Sequence, residues 1–230
     1  MAGRKSAPRR AAGLGEYRRK RDFGATPEPP PRAAERERAA LPTFVVHKHH
    51  ARRLHYDLRL EMDGALASWA VPKGPSFDPK VRRLAVQTED HPIAYGSFEG
   101  RIPEGQYGAG DSLIWDRGTY ETDPPGQASA MRKKGHVLFE LRGRKLKGLW
   151  HLVRTRALPG DAPQWLLFKS SKDAYARTDY DVVERRPESV VSGRRATRGP
   201  EKANAALRTR TTPASIRGRS ARNGLKRHGA

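Results

Sequence analysis

Between His55 and Met62 the chain alternates without a break. His55, Asp57, Arg59 and Glu61 take the odd positions; Tyr56, Leu58, Leu60 and Met62 take the even ones. Side chains of a β-strand point to opposite faces with period two. The run therefore fits a strand with one apolar and one charged face, and it lacks the three-to-four-residue recurrence of an amphipathic helix. Asp63-Gly64 follows at once, a strong signal for a two-residue hairpin turn.

Comparable runs predict strands at about 43–47, 55–62, 66–71 and 84–89, then 111–116, 136–142, 147–155 and 164–170. Residues 126–134 read as the one short helix of the second half. The Gly/Pro-rich run RIPEGQYGAG, within 100–110, reads as a turn-rich connector, because it lacks the lysine and following helix of a nucleotide-binding P-loop. Many short strands and few helical periods favour a mainly β fold, an antiparallel barrel or sandwich.

The charge is uneven. Of a formal net +21, residues 1–40 carry +6, from 11 Lys/Arg against 5 Asp/Glu. Residues 192–230 carry +10, from 11 against 1, which leaves +5 for the middle. All four tryptophans, Trp69, Trp115, Trp150 and Trp165, lie in that middle, so it is the expected folded domain. The 1–16 arm and the 192–230 tail read as disordered basic extensions, and prolines argue against regular structure over Tyr17–Pro31. A short helix is expected over 32–40.

So positive a chain implies a polyanionic partner, nucleic acid by default. No apolar run spans a membrane and no secretory signal is present, so a soluble intracellular protein is expected; a cytoplasmic, nucleoid-associated location and a monomeric state are further expectations. The absence of cysteine excludes disulfides and thiolate metal sites.

His49, His55 and Asp57 form a facial N/N/O set, which suits manganese, iron or zinc better than magnesium or calcium. H-x5-H-x-D is not specific, however. The same residues fit the solvent face of an edge hairpin, and His47 and His50 are further candidates. Arg59 points the same way as Asp57 and fits a bidentate phosphate contact, or an ion pair along the sheet. Lys73 and Arg83 are further candidate phosphate contacts. His91 is a candidate proton donor, with Glu89 to orient it and Tyr95 to add a hydroxyl. Each of these, taken alone, is more often a surface or loop residue.

The segments HHARRLHYDLRLEMDGALASWAVPKGP, RRLAVQTEDHPIAYGSFEGRIPEGQYGAGD and IWDRGTYE closely resemble the 3′-phosphoesterase module of bacterial DNA ligase D and its free-standing relatives. YRRKRDFGATPEP and GRKLKGLWHLVR…QWLLFK extend the match over roughly 17–191. No polymerase or ligase module accompanies it in this sequence, so the stand-alone form is expected. The resemblance implies a compact antiparallel β-barrel and manganese-dependent trimming of DNA or RNA–DNA 3′ ends, with Zn2+ or Co2+ as possible substitutes. That trimming releases a 3′-terminal ribonucleoside and then the 3′-phosphate, leaving the 3′-OH that end-joining ligases and polymerases need.

By resemblance, His49, His55 and Asp57 match the metal ligands, Arg59 and His91 the phosphate-contacting pair, and Tyr95 an active-site tyrosine. Lys73, Arg83 and Glu89 match supporting positions. Arg21, Asp22 and Glu28 match a box that bears on the phosphomonoesterase step, which implies a segment folded over the site from about Tyr17. His47 departs from the glutamine of many relatives. The competing reading is a basic nucleic-acid-binding protein without catalysis.

Overall fold

A computed structural model describes residues 13–31, 41–156, 160 and 162–196. The expected helix over 32–40, the first twelve residues of the basic arm and the tail beyond 196 lie outside the described residues.

The described elements run α1 (Gly15–Arg19), β1 (Thr43–His50), β2 (Leu54–Met62), β3 (Ala65–Val71), β4 (Arg83–Gln87), a 3-10 turn (Ile93–Ser97), β5 (Gly100–Ile102) and β6 (Gly110–Thr122). They continue with α2 (Ala128–Lys134), β7 (His136–Gly143), β8 (Lys147–Arg154), β9 (Gln164–Lys169) and α3 (Val182–Arg185). Strand order is β1-β2-β3-β4-β9-β8-β7-β6, all antiparallel, and β1 also pairs with β6. Eight strands thus close an antiparallel barrel, with β5 added beside β6. Among the described residues, closure leaves only the short β5 edge for a neighbouring chain to pair with.

The hairpin forms as the sequence predicts. Met62 faces Ala65 across the β2–β3 turn, and Asp63 and Gly64 take positive φ of 51° and 80°. Tyr56, Leu58, Leu60 and Met62 point into the barrel core, where the four tryptophans are also buried. Burying each tryptophan contributes about 4–6 kcal/mol of transfer free energy before entropy is counted. A smaller cluster of Tyr17, Val45, Leu66, Tyr95 and Ile114 lies on the other side of the β1–β3 wall. Among the described residues Leu14 is already buried on the N-terminal side, and on the C-terminal side Arg194 pairs with Asp111 at 3.3 Å.

Several expectations are corrected. β1 runs on to His50 rather than stopping at 47, because β6 pairs with it along its length after a register shift at Val46/His47. β6 reaches from Gly110 to Thr122, well past 116, because one strand serves β1, β5 and β7. RIPEGQYGAG is not all loop: Arg101 and Ile102 belong to β5, paired with Asp111 and Gly110. Among the described residues the second half holds two helices. The second, α3, is capped by Asp181, whose carboxylate accepts from the amides of Val183 (3.0 Å) and Glu184 (3.3 Å). Between Tyr17 and Pro31 the prolines do not prevent order, since Tyr17 is fully buried and donates its hydroxyl to the Pro29 carbonyl at 2.7 Å.

Asp116 pins the far side of the barrel. Its Oδ1 accepts from the backbone amides of Arg117 (2.9 Å), Arg144 (2.9 Å) and Lys145 (3.0 Å), and its Oδ2 accepts from Leu146 (2.7 Å). Burial pushes this carboxyl up, and the four amides oppose that shift. Asp116→Ala should lower the unfolding free energy by about 3 kcal/mol, because it strands buried donors in the β7–β8 turn. Urea denaturation checks this, and a loss below about 1 kcal/mol would contradict the assigned role.

Candidate active site

The β1–β2 register builds the site. His49 lies directly opposite His55, and Asp57 directly opposite His47. One ligand atom from each of His49, His55 and Asp57 lies within 4.8 Å of the others. His49 Nδ1 is 3.8 Å from Asp57 Oδ2, and His55 Nε2 is 3.5 Å from Asp57 Oδ1.

The remaining imidazole nitrogens decide which lone pairs face that point. His49 Nε2 is 2.8 Å from the Gly108 carbonyl, and His55 Nδ1 is 2.9 Å from the Arg53 carbonyl. A carbonyl only accepts, so each ring donates there and turns its other nitrogen toward Asp57. Histidine ligands of metal sites are oriented in this way, with the second nitrogen tied to a carbonyl or carboxylate. Two imidazole nitrogens and a carboxylate therefore converge as a donor set suited to a first-row divalent ion.

The other two histidines separate from the set. His50 falls on the opposite face of β1 from His49. His47 is fully buried behind Arg59: its Nε2 donates to the Phe98 carbonyl at 3.1 Å, and its Nδ1 accepts from Arg59 Nε at 3.3 Å. Burial, then the Arg59 charge, brings the His47 pKa down to about 3. A glutamine amide offers the same one donor and one acceptor.

Arg59 is held on all sides. Its Nη2 donates to Asp57 Oδ2 at 3.1 Å, and its Nη1 to Ser68 Oγ at 2.8 Å, with the Tyr95 ring 4.8 Å from Cζ. Ser68 faces Arg59 across the β2–β3 ladder. Burial works most strongly against the Asp57 carboxylate, but Arg59 and the facing histidines together outweigh it and hold the carboxyl below its usual range.

His91 Nδ1 donates to the Glu89 carbonyl at 2.9 Å, with Arg59 Nη1 also 2.9 Å from that nitrogen, and its Nε2 accepts from Arg21 Nη2 at 3.2 Å. Guanidinium groups can only donate, so the two arginines disfavour a doubly protonated ring. Burial, then Arg59 and Arg21, hold the His91 pKa well below the ordinary imidazole value. Burial raises the Tyr95 phenol well above its usual range, so the hydroxyl stays protonated.

The N-terminal segment closes the cleft. Arg21 pairs with Glu28 at 2.9 Å and Glu89 at 3.2 Å, and Lys20 pairs with Glu89 at 3.0 Å. The side chains of Arg21, Glu28 and Glu89 are nearly inaccessible to water. The resulting cleft of about 930 Å³ is lined by Arg21, Glu28, His49, His55, Asp57, Arg59, Glu89, His91 and Tyr95, by Arg52 and Arg53 of the β1–β2 turn, and by residues between 102 and 109, among others.

Lys73, Arg83 and Asp22 do not line it. Lys73 is exposed beyond β3, and Arg83 is half-buried on β4. Asp22 is exposed and accepts from the Gly24 amide at 2.9 Å. Sequence reasoning missed Ser68, Lys20 and the packing of Tyr17, whose ring meets His91 edge-on at 5.0 Å. It also missed that the connector carrying Gly108 is a wall of the site. Only Ser68 left a local trace, a hydroxyl in the otherwise apolar run ALASWAV.

The family model for the DNA Ligase D 3′-phosphoesterase domain matches residues 47–154. The chain is 54% identical over 184 residues to the multifunctional non-homologous end joining protein LigD of Pseudomonas aeruginosa, covering 79% of this chain and 21% of that protein. The proteins of that name from Mycobacterium bovis and Mycolicibacterium smegmatis are 47% and 43% identical over 166 and 170 residues. These alignments cover 70% and 72% of this chain, and 20% and 22% of the relatives. The chain thus spans about a fifth of the length of these relatives.

His47→Gln should change unfolding free energy by less than about 1 kcal/mol, because both hydrogen bonds can be remade. His47→Leu should cost about 2–3 kcal/mol, because the Phe98 carbonyl and Arg59 Nε lose their partner. Equal losses for the two variants in chemical denaturation would show that His47 acts through volume alone.

Proposed function

Through residues 47–154 the chain belongs to the DNA ligase D 3′-phosphoesterase domain family, and on that premise we propose a metal-dependent phosphoesterase that trims DNA or RNA–DNA 3′ ends to a 3′-OH. The observation that carries the reading is the His49–His55–Asp57 donor set with Arg59 hydrogen-bonded to its carboxylate. A divalent ion, manganese by preference, held by those three side chains would supply Lewis-acid polarisation of a phosphoryl oxygen.

The chain's own residues account for the rest. Arg59, fixed by Asp57, Ser68 and His47, presents a guanidinium that needs no reorganisation when charge develops on phosphate. Arg21, on the other side of His91, offers a second such group. His91 is neutral between them. A phosphate dianion lying against both guanidiniums would offset their charge and favour the protonated ring, the form able to donate to a leaving oxygen. Tyr95 keeps its proton and serves as a donor. Glu89 and Glu28 hold Arg21 and Lys20 in place. Lys73, Arg83 and Asp22 are given no contact with the reacting phosphate.

The basic termini would add salt-sensitive, sequence-independent affinity by displacing counterions from the nucleic acid. The relatives are named for non-homologous end joining. The same pathway is proposed here, in a cytoplasmic, nucleoid-associated setting with ligase and polymerase partners.

A 3′-phosphate-terminated primer–template should yield a 3′-OH end with manganese and none with chelator. A ribonucleoside-terminated primer should pass through a 3′-phosphate intermediate. Asp57→Ala and His55→Ala should each lower turnover by roughly 10³-fold, about 4 kcal/mol of barrier, and lower manganese affinity in titration calorimetry. Equal persistence of the 3′-phosphate with manganese and with chelator would favour a nucleic-acid-binding protein without catalysis.

A further inference from the structure

We infer that the cleft contains a nucleobase subsite beside the phosphate pocket, with Tyr107 as the ring on which the base of the 3′-terminal nucleotide stacks. The inference rests on the phosphoesterase reading and adds what grips the nucleoside carrying the phosphate.

Space is the first argument. A water's share of liquid volume is about 30 Å³, and a phosphate group is only a few times larger. The cleft measures about 930 Å³, within the range of sites that enclose whole small molecules. The charged groups described above line one part of it. Arg52 and Arg53 of the β1–β2 turn add further charge, but the wall formed by Ile102 at the end of β5 and by residues 105–109 of the following loop includes no ionised side chain.

Exposure is the second. Tyr107 is 47% exposed, and of the exposed large hydrophobic side chains among the described residues it is the one that lines this cleft. Base–aromatic stacking is worth about 1–3 kcal/mol and is indifferent to base identity, because every base has a π-face. An enzyme that must accept any terminal nucleotide needs recognition of that kind.

Placement is the third. Arg21 Cζ lies 5.5 Å from the centroid of the Tyr107 ring, while the same guanidinium is 3.2 Å from His91 Nε2. A phosphate held at Arg21 therefore carries its own nucleoside toward the ring. The ring is already oriented: Lys20 Nζ donates to its hydroxyl at 3.2 Å and sits 4.6 Å from its centroid. The loop is held in turn by amide donation from Gln106 to the Pro103 carbonyl (3.3 Å) and from Ala109 to the Gln106 carbonyl (3.1 Å). Preorganisation of this kind lowers the ordering cost of binding.

The test uses the full chain and a fluorescent primer–template ending in a 3′-phosphate, with the last residue either a normal nucleotide or an abasic tetrahydrofuran. Anisotropy titrations in chelator give both Kd values. The wild type should bind the base-bearing end about tenfold more tightly than the abasic end. In Tyr107→Ala that ratio should collapse to unity, and Tyr107→Phe should restore it. All four bases should behave alike. A ratio near unity in the wild type, or one that survives in Tyr107→Ala, overturns the subsite. Loss of the ratio in Tyr107→Phe as well overturns it too, since the hydroxyl contact to Lys20 would then be what matters. Failure of the phosphoesterase reading is separable: the ratio would follow this pattern while manganese released no phosphate.

Discussion

Asp57 and Arg59 sit two residues apart on one strand, bonded to each other and almost wholly cut off from water. An isolated charge in that position would cost several kcal/mol, and the pair is tolerated only because each member has further partners. Asp57 faces two imidazoles; Arg59 has Ser68 and His47. The N-terminal segment extends the same accounting, setting Arg21 and Lys20 against Glu28 and Glu89. Carboxylates and cations are matched throughout this cluster. A dipositive ion and a doubly negative phosphate would therefore enter as a balanced pair, and either alone would leave the buried group lopsided.

Much of this is written in local sequence. The alternation over His55–Met62 assigns residues to faces, and Asp63-Gly64 marks the turn. Those two signals alone put one histidine, the aspartate and the arginine of the site on a common surface. Residue chemistry and spacing bring in His49 and His91 as candidates; the resemblance assigns their roles and adds the Arg21 box. Spacing does not separate His47 from His49, since both lie on the same face of β1. What separates them is a partner 51 residues away, the Phe98 carbonyl.

The parts that are not legible come from long-range packing. Lys20 reaches Glu89 across 69 residues and Arg21 reaches His91 across 70. No composition rule foretells such contacts, and prolines between 27 and 31 argue the wrong way, because tertiary burial of Tyr17 overrides local preference. The 102–109 loop is a related case. Its glycines and proline indicate turns, but only the fold shows that the turns stand against His49.

β1 is the seam at which the barrel closes, bonded to β2 on one side and β6 on the other. It also carries His49 and the histidine that props Arg59. Fraying this strand means parting the cylinder itself, so the ligand geometry inherits the cohesion of the entire fold. The walls that meet a substrate, by contrast, belong to a loop and a short N-terminal segment that hang outside the closed ladder. Chemistry is thereby anchored to the stiffest part of the molecule, while the choice of what to admit falls to pieces that can be remodelled without opening it.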